Sequence, residues 1–211
     1  MFEVNALKKK TKTKMEELLS RALTLYGRLI LSTVLGLFMW ISIGIIASAM
    51  IPKGEVISPA GEFVQNFAAL IVAGFLYSTI VCSESWRRGD KDGAEVAFGG
   101  KKGDPLFGLK VAAVAVIPSV VAYGLLIVDK AVGLWSGYLA AYRIMNGSLF
   151  SIMQWTLGKN WQATIGEVSW VGVILSGLPI VITLAMAWAS YLIGYKQVPL
   201  AKRLMYKGER K

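Results

Sequence analysis

The sequence predicts an all-α integral membrane protein: a four-transmembrane-helix bundle with an amphipathic helix before the first span and exoplasmic interfacial helices after the third. Three observations carry this. Hydrophobic residues make up 55% of the 211, with a mean hydropathy of +0.55. Charged residues are 17%, against about 25% in ordinary soluble domains. Those charges are also clumped, leaving four long apolar stretches, whereas the helices of a soluble core carry charge every few residues.

A bilayer core about 30 Å thick needs about 20 apolar residues of helix. The first span is expected at 29–51, ending at Pro52, where proline stops a helix. Its basic leader and Ala47-Ser48-Ala49 resemble a signal peptide, but its apolar run exceeds the usual 7–15 residues or so of such a segment, so a retained span is expected. The others are expected at 63–82, 109–128 and 170–194, with Lys110 at the entrance of the third. Pro118 and Pro179 fall inside the third and fourth spans and are expected to kink them. Ser176-Gly177-Leu178-Pro179 is the natural place for a broken helix.

Orientation follows from Lys and Arg. Residues 1–28, the 83–108 loop with Lys110, and the 195–211 tail hold nineteen, against four in the 52–62 loop and the 129–169 segment. The positive-inside rule then places both termini and the 83–108 loop in the cytoplasm, in a multi-pass protein assigned to the cell membrane. The net charge of +10 is explained by orientation and by anionic headgroups. Nucleic acid is not expected as a partner.

Within 1–28, Met15, Leu18, Leu19, Ala22, Leu25, Tyr26 and Leu29 recur at helical spacing, with Lys14, Glu17, Arg21 and Arg28 among the polar positions. An interfacial helix is expected, with Lys8, Lys9 and Lys10 meeting anionic lipid or an acidic partner. In the 83–108 loop, Arg87, Arg88, Lys101 and Lys102 are candidate lipid or partner contacts. Turns are expected at Gly89–Gly93 and Gly99–Asp104, with one short strand at Ala94–Phe98. Neither the Gly99–Lys102 run nor Asp90–Gly93 has the spacing of a phosphate or calcium loop.

Residues 131–157 are apolar enough for a fifth span. However, Arg143 near a bilayer centre costs about 2.5–3.5 kcal/mol, Asn146-Gly147 interrupts the run, and a fifth span would turn the basic tail outward. Outer interfacial helices are expected instead, with Trp135, Tyr138, Tyr142, Trp155, Trp161 and Trp170 in an aromatic belt. Trp135, Arg143, Trp155 and Trp161 are the candidate contacts there.

The chain has no histidine and one cysteine, Cys82. That removes the commonest general base and metal ligand, and no intrachain disulfide can form. No catalytic, metal or cofactor constellation emerges. Small-xxx-small pairs such as Ser32/Gly36, Gly74/Ser78 and Gly172/Ser176 point to close helix packing. The expected function is non-catalytic: an accessory or scaffold subunit of a larger membrane complex, or a homo-oligomer. An oligomeric channel or transporter for a small solute is the alternative.

Overall fold

A computed structural model describes residues 2–51, 57–99, 103–135, 137–160 and 163–196, with side chains from Lys14 onward. Every regular element among them is helical. The order is α1 (Phe2–Ala49), α2 (Pro59–Ala97), α3 (Phe107–Ala115), α4 (Ile117–Val132), α5 (Tyr138–Met145), α6 (Phe150–Leu157), α7 (Trp170–Leu175) and α8 (Leu178–Tyr195), with 3-10 turns at Gly147–Leu149 and Ile165–Glu167. Among the described residues three helical stretches are long and apolar enough to cross a membrane: Lys14–Ala49, Pro59–Ala97 and Trp170–Tyr195. The pair α3 and α4, bent by 48°, makes a fourth if counted as one span.

Helix α2 starts with Ser58 as N-cap, its hydroxyl accepting from the Gly61 N–H at 3.2 Å, and with Pro59 in the first turn. Both features suit a helix start. The α3–α4 bend falls at Val116, with Pro118 in the first turn of α4. Helices α7 and α8 are separated at Ser176-Gly177, with Pro179 in the first turn of α8. Proline lacks the N–H that would continue each ladder.

Two expectations about the middle of the chain are overturned. Residues 83–97 form no turn and no strand; they continue α2 without a break. The reason is a close packing of α2 on α8. A side chain on Gly89 would overlap the carbonyl oxygen of Tyr191, one on Gly93 that of Tyr195, and one on Gly194 that of Trp86. These glycines let two backbones touch, so their role is contact rather than turning. The turn expected after Ala97 begins at Gly99, whose φ of 72° suits glycine; residues 100–102 lie outside the described residues.

The second correction concerns 138–157. These helices are not laid along the surface of the bundle. Helices α5 and α6 form a hairpin inserted into the bundle, burying Leu139, Tyr142, Phe150, Met153 and Leu157. Its tip packs against the middle of α1: side chains added at Gly36 would meet Ser148, and at Gly147 would meet Leu37. Gly36 lies about 20 Å along α1 from Ala49 at 1.5 Å per residue. Trp40 meets Phe150 in a tilted pair with ring centroids 4.5 Å apart, and Phe63 stacks on Trp155 at 5.9 Å, so α6 climbs from the tip toward the α1–α2 connection.

The core has two parts. One joins α4 to α7 around Leu126, Tyr142, Met153 and Val173. The other joins α1, α2, α3 and α8 around Leu25, Tyr77, Val81, Val111 and Ala187.

Candidate functional site

Two polar regions stand out in this apolar bundle. The first is its basic end. Arg21, expected among the polar positions of an interfacial helix, turns inward and grips Asp92 of α2 with both branches, Nη1 to Oδ2 at 2.6 Å and Nη2 to Oδ1 at 2.8 Å. Glu17 accepts from the same guanidinium at 2.5 Å. The Tyr191 hydroxyl of α8 donates to Asp92 Oδ2 at 2.9 Å, and the Arg21 guanidinium lies over the Phe107 ring at 5.1 Å. One buried carboxylate therefore ties α1, α2 and α8 together. Two-point Arg–carboxylate contact is the strong form of this bond.

Beside it, Glu84 is nearly buried and is shared by Arg88 at 2.5 Å, Arg87 at 3.0 Å and Arg28 at 4.0 Å. Burial acts against the carboxylate, but the three arginines outweigh it and hold its carboxyl below the ordinary range. Stability from this cluster is present above the free carboxyl value of about 4.3 and is lost as the pH falls through the lowered one. Arg21, Glu84, Ser85, Arg88 and Tyr191 line a cleft of about 310 Å³ including its open mouth.

The second region lies where the hairpin tip meets the two helix breaks. Thr33, Tyr77, Ser119, Asn146, Ser148 and Thr183 line a cavity of about 350 Å³ including its open side. Thr183 donates to the Pro179 carbonyl at 2.7 Å, so the Tyr77 hydroxyl bonded to it acts as donor to Thr183 Oγ1. Tyr142 and Tyr123 donate to the carbonyls of Ser176 and Ile174 at 2.9 and 3.2 Å. Tyr142 thus supplies a hydrogen bond that the interrupted α7–α8 ladder leaves unmade, and Tyr123 adds a second donor to the Ile174 carbonyl, which also accepts from the Gly177 N–H at 3.1 Å. Replacing Tyr142 by Phe is expected to lower stability by about 1–2 kcal/mol, the cost of a buried carbonyl without a donor, read as a lower melting midpoint in detergent.

The structure separates the other sequence candidates. Arg143 is 1% exposed and donates to the carbonyls of Asn160 at 2.8 Å and Leu157 at 2.6 Å. It closes the C-terminus of α6, where free carbonyls and the helix dipole favour a cation. Trp135 and Trp155 stay partly exposed, as does Trp170, whereas Tyr142 is buried. Asp129 accepts from the Trp135 N–H at 2.8 Å, Lys130 donates to the Ile165 and Gly166 carbonyls, and Lys159 pairs with Glu62. Arg87 and Arg88 meet at Glu84. Lys101, Lys102 and Trp161, with residues 197–211, lie outside the described residues, as do the side chains of Lys8, Lys9 and Lys10.

Arg21, Glu84, Asp92 and Tyr191 were not singled out from the sequence. A signal was present in the four-residue spacing of Gly89 and Gly93, the same as in the span pairs, which puts both on one helix face. Among the described residues no group of three or more Cys, Asp or Glu is arranged to hold a metal. Comparison with protein-family models, curated proteins and solved structures found no match.

Proposed function

We propose that this chain is a four-span membrane protein with its basic end in the cytoplasm, acting without catalysis as an accessory or scaffold subunit of a larger membrane complex. The length of α1 and α2 carries the reading. Lys14–Ala49 has 36 residues and Pro59–Ala97 has 39. At 1.5 Å per residue they measure about 54 and 58 Å, against a hydrocarbon core of about 30 Å. Their apolar runs, 29–51 and 63–82, lie toward the α1–α2 connection, so the excess length projects at the basic end. The Arg21–Asp92–Tyr191 contact stiffens that projection, and Trp86, Lys91 and Phe98 are exposed on it. A rigid paired-helix platform suits docking by another protein, because little ordering is needed on binding.

A second reading, a channel or transporter for a small uncharged solute, is favoured by the polar cavity at the meeting of two helix breaks. Broken helices line the sites of many transporters. Two measurements separate the readings. Extraction in mild detergent is expected to yield a fixed-stoichiometry complex that the K91E/F98E variant fails to form. Liposomes holding only this chain are expected to show solute flux no faster than protein-free vesicles. Flux that Thr183→Val abolishes would replace the subunit reading with the channel.

A further inference from the structure

We infer that Arg28 and Arg87, with Arg88 holding Glu84 in place beside them, form a binding site for one phosphate group, filled by the headgroup of an anionic phospholipid; this rests on the membrane placement proposed above. Three guanidiniums share a single carboxylate. Glu84 is 4% exposed, while Arg28 and Arg87 are 47% and 72% exposed. Glu84 balances one positive charge and leaves two. The geometry divides their roles. Arg88 Nε sits on Oε1 at 2.5 Å, so it holds the carboxylate in place. The Nη2 atoms of Arg28 and Arg87 both approach Oε2, at 4.0 and 3.0 Å. Two guanidiniums from two helices are thus gathered at one carboxylate oxygen, and both side chains stay open to solvent.

Guanidinium donors in a planar fork match phosphate oxygens, and a pair from two helices can hold one group between them. The position selects a lipid over a soluble ion. Arg28 is the residue immediately before the apolar run of α1, and Arg87 and Arg88 follow that of α2 by about one and a half turns. All three thus lie at the level of the headgroups. Leu31, one turn from Arg28 on the same face, is exposed and offers an apolar surface for an acyl chain. This is a defined site within the general attraction of basic residues for anionic lipid.

Native mass spectrometry of the full chain in mild detergent tests it, with phosphatidylglycerol, phosphatidylcholine and inorganic phosphate as separate probes. One phosphatidylglycerol is expected to remain bound per chain, in preference to phosphatidylcholine, and millimolar phosphate is expected not to displace it. R28Q/R87Q is expected to weaken that binding about tenfold or more, the loss of two charge-assisted contacts. Because Arg88 still pairs with Glu84, this variant keeps its buried carboxylate partnered. R28K/R87K keeps the charge, loses the forks and is expected to fall between. K14Q/K196Q removes the same charge elsewhere at this end and is expected to change binding less than about twofold. Equal losses in R28Q/R87Q and K14Q/K196Q, or equal retention of phosphatidylcholine, would overturn the site. Displacement by inorganic phosphate would overturn the lipid assignment. Because the assay runs in detergent, these results are independent of whether a protein partner exists.

Discussion

Replacing Asp92 by alanine is expected to destabilise the bundle by roughly 3–5 kcal/mol, as removal of one partner from a buried ion pair does. The side chains of Arg21 and Asp92 are only 13% and 6% exposed, so water cannot readily replace the lost carboxylate. Arg21 would keep Glu17, which is more exposed, but would lose its two-point contact, and the Tyr191 hydroxyl would lose its acceptor. Three helices would be loosened together. The triple variant R21M/D92L/Y191F removes both buried charges and the hydroxyl at once, leaves the more exposed Glu17 to water, and is expected to recover most of the loss. Thermal unfolding in mild detergent reads both. A loss in the triple variant as large as in Asp92→Ala would mean that shape, and not charge pairing, matters here.

Gly89→Leu is expected to cost roughly 3 kcal/mol or more, at or above the upper end for an overfilled core. The obstacle is the backbone of α8, which cannot rotate aside as a side chain can. Gly74→Leu is the control. Nothing lies within 4 Å of a side chain added at Gly74, so the change is expected to be neutral within about 0.5 kcal/mol or slightly stabilising through helix propensity. The difference between the two melting midpoints measures the α2–α8 contact directly.

These two sites show where the sequence could and could not be read. Apolar runs long enough to span a bilayer, interrupted at Pro118 and Pro179, are local properties of composition and of one residue's chemistry. Asp92 and Gly93 are different. Side by side in a charged stretch rich in glycine, they resemble a turn, and only the approach of α8 makes helix the better state for them. Arg21 reads from sequence only as a polar position of an interfacial helix, because its partner Asp92 lies 71 residues away. Arg143 was expected to forbid insertion of 131–157, because a charge in hydrocarbon is costly. That cost falls when the guanidinium donates to the carbonyls of Leu157 and Asn160 at and after the end of α6, contacts that exist only once the hairpin has folded. Pairings distant in sequence leave little trace in a single chain, whereas apolar periodicity does.

Cysteine accessibility measures the arrangement of the chain most directly. In a C82S background, single cysteines at Ser58 and Lys159 are expected to react with an impermeant maleimide from outside intact cells, since both lie toward the α1–α2 connection. A cysteine at Asp104 is expected to react only after permeabilisation. One at Ser148, buried against Gly36, is expected to stay protected in both conditions. If Ser58 and Lys159 reacted from opposite sides, 131–157 would cross the membrane as a fifth span; that result, or labelling of Asp104 from outside, would contradict the four-span bundle with its basic end within.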